Sequence, residues 1–193
     1  MNNIKNYLVE IAIAFALYWI FAGYLYFFPQ LKSSPITYFL FLPAGVKLFA
    51  ILIFRWRGAV GTGLAIFSRL MITDSAQPWV SWFIVAISAT ISLYAVVEIG
   101  LRLFNVDKNL STLKYYQIVA LATVSSIVNG FVFAYVVSAL TIGQMSGNLF
   151  HSGFMTVIGN FAGNALFVCT AVVIMRNKTT IISFISKLKD GIK

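Results

Sequence analysis

Six apolar runs separated by short polar connections make up most of this chain: residues 7–28, 36–54, 58–72, 79–101, 116–142 and 154–175. A helix needs about 20 apolar residues to cross a hydrocarbon core roughly 30 Å thick. Runs of this length predict an all-α, polytopic transmembrane bundle of about six spans. The third run is short. A helix over residues 58–72 rises only about 22 Å, so it spans if Arg69 snorkels outward or the bilayer thins locally. Pro43 and Gly45 interrupt the second run, Lys47 lies within it, and Arg55-Trp56-Arg57 closes it. Pro29 and Pro35 bracket the turn before it, and Pro78 opens the fourth run with Trp79 and Trp82 at interface depth. The first run is longer than a signal-peptide core and is followed by Phe27-Phe28-Pro29, a poor cleavage site, so it reads as an uncleaved span.

Composition agrees with lipid as the solvent. The 193 residues are 60% hydrophobic and 10% charged, with a mean hydropathy of +0.90. Soluble domains carry about 25% charged residues, and a chain this short could not hide so much apolar surface from water. The whole of residues 1–175 is therefore expected to be one transmembrane domain with no room for a soluble one. Residues 176–193 differ: Ile181, Ile185, Leu188 and Ile192 recur at helical spacing among Lys187, Lys189 and Lys193, the pattern of a basic amphipathic helix on an anionic membrane surface, or of a frayed tail.

The net charge of +9 changes the picture once it is mapped onto sides. With six crossings, Lys5, Arg55, Arg57, Arg102, Lys108, Lys114 and the tail cations all fall on one face, and only Lys32 and Arg69 on the other. By the positive-inside rule both termini are cytoplasmic, as expected for a multi-pass protein of a bacterial inner membrane. These cations read as topology signals and contacts to anionic lipid rather than to nucleic acid, because no basic face with stacking aromatics lies outside the apolar runs.

Ionisable groups within spans are expensive and so are candidates for function. Here they are Glu10, Lys47, Arg69 and Glu98. Glu10, Lys47 and Glu98 fall in one leaflet, which suggests a charged cluster in which a carboxylate holds Lys47; the alternative is that each reaches headgroup depth alone. Pro43 within a helix would free the carbonyl of Phe39, and Gly45 would let a backbone approach, as in the broken helices of transporters or in an ordinary kink. In the sixth run Gly159 and Gly163 form GxxxG, which permits close helix contact. Asn160 and Asn164 share a face there, and Asn164 and Asn129 reach similar depth, with Ser125 and Ser126 one turn from Asn129. Hydrogen bonds between spans five and six follow, either as packing or as a polar pocket for a small ligand. Lone His151, expected in an outer loop near Gln144 and Asn148, offers no hydrolase triad. Lone Cys169 reads as a small packing residue. No metal spacing, phosphate loop or dinucleotide fingerprint is present, so no enzyme activity and no cofactor are expected.

The stretch Phe41-Leu42-Pro43-Ala44-Gly45-Val46-Lys47-Leu48, followed by an apolar run and Arg55-Trp56-Arg57-Gly58, resembles the start of the bacterial membrane-associated sensor (MASE-type) domain. Gly159-Asn160-Phe161-Ala162-Gly163 resembles a second element of that family, where Gly-Asp-x-x-Gly is frequent. The resemblance covers about residues 36–70 and 155–175. It implies a membrane sensor that normally feeds a histidine kinase or a diguanylate cyclase. Asn160 departs from the usual acid, the spans fall short of the usual eight, and neither output domain fits after Met175. The resemblance thus implies a shortened, stand-alone relative signalling through a membrane partner.

Three functions follow as alternatives: a sensor-like or accessory module binding a small ligand or partner, a small transporter or substrate-capture subunit of an importer, and a structural subunit of a membrane complex. The ligand-binding or gating candidates are Pro43, Gly45, Lys47, Glu98, Asn129, Asn160 and Asn164, with Gly159 and Gly163 as helix-packing residues.

Overall fold

A computed structural model describes residues 2–33, 36–107, 110–140 and 149–176. The basic tail beyond residue 176, residues 141–148, expected as an outer loop, and Lys108 lie outside them. The described residues form six helices: α1 (Asn2–Phe27), α2 (Pro43–Phe54), α3 (Trp56–Thr73), α4 (Trp79–Leu103), α5 (Tyr115–Ala139) and α6 (Leu149–Arg176), with a 3-10 turn at Pro29–Leu31 and no strand. Four of them, α1, α4, α5 and α6, are long and apolar enough to cross a membrane. Their outward faces carry large apolar side chains such as Ile20, Ile91, Ile99, Tyr135 and Phe154 in the open. Water would penalise so continuous an apolar surface, and acyl chains would not.

The second apolar run is not one helix. Only Pro43–Phe54 is helical, 12 residues or about 18 Å, and residues 36–42 are irregular. Pro43 occupies the first turn of α2 rather than its interior. There its missing N–H would have had no helical acceptor and its fixed φ suits the start of a helix. It therefore opens α2, and the expected kink with a freed Phe39 carbonyl does not arise. The 36–42 backbone finds its partners elsewhere: Phe39 N–H donates to Leu31 O (2.8 Å) and Phe41 N–H to Gly159 O of α6 (3.0 Å). The Tyr24 hydroxyl donates to Leu40 O and accepts from Leu42 N–H at 3.2 Å. Non-helical backbone at membrane depth is tolerated when it is satisfied and buried in protein in this way.

The third run is longer than expected. α3 has 18 residues, about 27 Å, because it starts at Trp56, directly after α2. Arg55 turns the chain between them with a φ of 57°. The hairpin is tight: a Cβ on Gly58 would run into Ala50 O of α2.

The short α2 is the centre of the bundle and touches every other helix. Side-chain pairing fixes the directions. Trp19 donates to Ser68 (3.1 Å) and Gly61 abuts Ile11, so α1 and α3 run parallel. Gly63 meets Thr90 and Phe67 meets Phe83, Gly100 meets Leu121 and Ala89 meets Asn129, Gly130 meets Val157 and Ser126 meets Asn164, so α3–α4, α4–α5 and α5–α6 are antiparallel. Two apolar clusters fill the interior, one around Trp82, Tyr18, Leu70 and Phe133, the other around Leu48, Ile51, Leu93 and Leu121. Trp82 is fully buried within the protein, its indole N–H donating to Asp74 O at 2.8 Å. Between the clusters lies a buried polar layer that includes Lys47, Ser125, Ser126, Asn129 and Asn164.

Candidate functional site

The site begins with two glycines one turn apart. A Cβ on Gly159 would collide with Tyr38 O, and one on Gly163 with Phe41 O. The GxxxG of α6 therefore receives the irregular 36–42 segment rather than a partner helix, a correction to the expected helix–helix contact. Gly45 extends the seam, since a Cβ there would meet Phe167 of α6. The seam holds Tyr38 and Phe41, stacked on each other at 5.8 Å, in the bundle interior.

Two cations flank these rings. Lys47 is 5% exposed and Arg69 4%. Lys47 Nζ lies 5.4 Å from the Phe41 centroid. The Arg69 guanidinium carbon lies 5.1 Å from the same ring and 5.7 Å from Tyr38. Such contacts offset about 2 kcal/mol of desolvation each when dry, part of what a buried cation needs. Lys47 Nζ donates to Asn129 Oδ1 at 3.1 Å. That amide is oriented by its other end: Asn129 Nδ2 donates to Ala89 O (2.6 Å) and to Ser92 Oγ (3.3 Å), which turns the carbonyl oxygen toward the ammonium.

These groups line a small, partly open cavity of about 30 Å³ together with Tyr18, Thr37, Thr156 and Asn160. That is room for about two waters. Several donors around it are unspent. Arg69 Nε and Nη1 and Asn160 Nδ2 are buried without a well-formed hydrogen bond, and the Arg69 guanidinium faces the Tyr18 hydroxyl, which accepts from it. A second space of about 160 Å³ adjoins it, sharing Tyr38 and Arg69 and lined also by Tyr26, Lys32, Ile72 and Thr73.

The structure brings together Lys47, Asn129 and Asn160 from the expected residues, with Pro43 and Gly45 positioning the helix that carries Lys47. It does not bring in the carboxylates. Glu98 lies 3.2 Å from Arg102 and 3.8 Å from Arg55, lining a surface cleft with them. Glu10 lies 2.7 Å from Arg57. The expected Lys47–carboxylate cluster is thus replaced by rim ion pairs, because arginines on the α2–α3 turn and the end of α4 reach the acids first. Asn164 is not in the cavity lining; its Nδ2 donates to Ser126 Oγ (2.9 Å) and Ala122 O (3.3 Å), the expected bond between α5 and α6. Asn129 faces α2 and α4 instead of Asn164.

Tyr18, Tyr38 and Phe41 are site residues that the apolar pattern did not assign, and Arg69, a candidate as an ionisable group within a span, joins them. Arg69 does not snorkel; α3 turns it inward over the two rings. The visible signal was an arginine more than a turn inside a helix end. Two further positions differ from expectation: His151 is in the first turn of α6 rather than in a loop, and Cys169 is exposed rather than packed. Comparison with protein-family models, with curated proteins and with solved structures finds no match to this chain.

Proposed function

We propose that this chain is a non-enzymatic, multi-pass protein of the bacterial inner membrane, a sensor-like or accessory module that takes a small ligand into the cavity around Lys47, Arg69 and Asn160 and passes the change to a protein partner in the membrane. In this reading the bundle crosses six times. The second crossing is composite, irregular through residues 36–42 and helical through α2. The alternation of helix directions and the cation bias of the connections support that topology, with both termini cytoplasmic and the tail on anionic lipid.

The observation that carries the reading is a small, partly open cavity inside an apolar bundle, flanked by two buried cations and by the Asn160 amide. Polar groups in such surroundings are normally satisfied, because each unmade bond costs about 1–3 kcal/mol. Helix packing alone would have selected apolar side chains there. The resemblance to the membrane-associated sensor domain adds support of a different kind: its two short elements, around residues 41–48 and 159–163, are joined here by a backbone hydrogen bond. They behave as one unit, and a ligand that moves the 36–42 segment would move α2 and α6 with it.

Two measurements test this. A reporter fused after Lys193 is expected to be active only in the cytoplasm. Purification from native membranes in mild detergent is expected to bring down a signalling partner such as a kinase or cyclase. Recovery with an ATPase pair would replace the reading with transport, and recovery with a respiratory or secretion complex would replace it with a structural role.

A further inference from the structure

The charges around the cavity have one sign. Lys47 and Arg69 are buried beside it, and Lys32 lines the adjoining space. Four of the five acidic residues are among the described ones, and none lines either space. Glu10 and Glu98 pair with rim arginines. Asp107 Oδ2 accepts from Ser111 (3.3 Å), and Asp74 Oδ1 accepts from Ala76 N–H (3.2 Å).

The hydrogen-bonding groups have one sense as well. Arg69 Nε and Nη1 and Asn160 Nδ2 are donors that cannot accept, and the Tyr18 hydroxyl, which accepts from Arg69, still has its own proton to give. An ammonium carries three donors, of which Asn129 takes one. Water could satisfy some of these donors but would leave the positive charge standing in a low dielectric. The ring faces of Phe41 and Tyr38 offset the charge only in part. A ligand that accepts hydrogen bonds and brings negative charge matches both deficits.

We propose that this cavity is an anion-binding site, and that its ligand is a small free anion: a halide, or the oxyanion head of a small solute, reaching Lys47 and Arg69 by way of the space beside Lys32. The inference rests on the ligand-binding reading above and names the class of ligand. A cavity of about 30 Å³ limits the bound group to the size of about two waters, and any remainder of the solute extends into the neighbouring 160 Å³. Arg69 lines both spaces, so it meets the anion first and hands it to Lys47. Lys32 concentrates anions at the entrance.

The test uses the full chain purified in neutral detergent and held in sodium gluconate as a bulky, strongly hydrated reference anion. Thermal unfolding and titration calorimetry are followed as gluconate is replaced, at constant ionic strength, by chloride, bromide, formate or phosphate. At least one of these is expected to raise the unfolding temperature saturably and to bind measurably. Arg69→Gln and Lys47→Met are each expected to weaken that binding by about tenfold or more, the loss of one charge-assisted contact. Lys47→Arg is expected to retain it. If Arg69→Gln does not fold, Lys47→Met against Lys47→Arg decides the matter.

Saturable stabilisation by neutral solutes such as glycerol or acetamide, with the small anions no better than gluconate, would overturn the anion assignment and leave the ligand-binding reading standing. Stabilisation by added phosphatidylglycerol or cardiolipin alone would overturn the free anion in favour of a lipid headgroup. No response to either solute class, with Lys47→Met folding as stably as the parent, would overturn both readings.

Discussion

The protein handles charge in two opposite ways at the rim of the bundle and in its interior. At the rim, Glu98 and Glu10 are 31% and 26% exposed and each lies against arginine. In the interior, where charge is far harder to keep, Lys47 and Arg69 have no carboxylate partner among the described residues. Stability alone would predict the reverse, since an exposed pair contributes at most about 1 kcal/mol and an uncompensated buried charge costs several. The acids have been kept where they matter little and withheld where they would matter most. A carboxylate beside Lys47 would fill the role that the structure leaves to something from outside. In the reading proposed above, rim charge sets orientation and interior charge awaits a ligand.

The largest expected effect comes from removing the seat on which the interior site is built. Gly163→Val puts side-chain atoms where Phe41 O now lies. Neither α6 nor the hydrogen-bonded 36–42 segment can yield without losing backbone bonds, so a loss of more than about 3 kcal/mol is expected, as for severe overpacking. The measurement is the yield of monodisperse protein in detergent and its unfolding midpoint. Gly23, with open space beside it, is the control: Gly23→Ala is expected to be neutral or slightly stabilising. If both variants behaved alike, the Phe41 ring would not depend on α6 for its place between the cations.

This seat also marks the limit of what could be read from the chain. Hydropathy reports that residues 36–54 avoid water and does not report how their backbone is satisfied. A run that is half irregular and half helix has the same apolar profile as a kinked helix. Pro43 is compatible with either, because its ring suits a first turn as well as it disrupts an interior. The choice is made by Tyr24 and Gly159, which supply partners to the 36–42 backbone from elsewhere in the chain. Long uniform runs carried no such ambiguity, and α1, α4, α5 and α6 fall close to them. Asn164 and Ser126 were legible because buried amides on facing helices need partners. Arg69 was not, because its inward turn depends on the rings of Tyr38 and Phe41, whose position follows from the irregular segment.

The next effect tests how the interior holds Lys47. Asn129→Leu removes the acceptor of its hydrogen bond and leaves a buried ammonium facing an apolar side chain. A loss of about 3 kcal/mol is expected. Adding Lys47→Met to that background should restore much of it, because the charge that needed the acceptor is gone. A double-mutant cycle by chemical unfolding reads the coupling. A coupling near zero would mean that Lys47 is already neutralised in the resting protein, and the contrast between rim and interior would vanish.

A smaller loss separates packing from site within the same polar layer. Asn164→Ala removes the bonds to Ser126 Oγ and Ala122 O. Interhelical hydrogen bonds in membranes contribute about 0.6 kcal/mol on average and at most about 1.7, so a loss of about 1 kcal/mol is expected. Because Asn164 does not line the cavity, ligand affinity should stay within about twofold of the parent, an affinity change of less than 0.5 kcal/mol. Asn160→Leu should do the opposite. It removes an unpartnered donor from the cavity and should leave stability nearly unchanged or raised, while binding falls. A variant pair that moved together in both readouts would mean that the polar layer is uniform and that the cavity has no separate role.

The smallest effect comes at the rim, where its size carries the argument. Glu98→Gln breaks contacts to Arg102 and Arg55, and an exposed pair of this kind is worth less than about 1 kcal/mol. The loss should shrink further as salt rises, since the screening length falls from about 10 Å at 0.1 M to about 3 Å at 1 M. Interior substitutions should show no such decline, because ions in bulk solution do not screen charges buried between helices. Unfolding free energies of Glu98→Gln and Asn129→Leu at the two salt concentrations give that comparison directly. A rim effect that held its size at 1 M would mean that Glu98 neutralises charge beyond its two neighbours. The rim cleft it lines would then compete with the interior cavity as the place where a ligand binds.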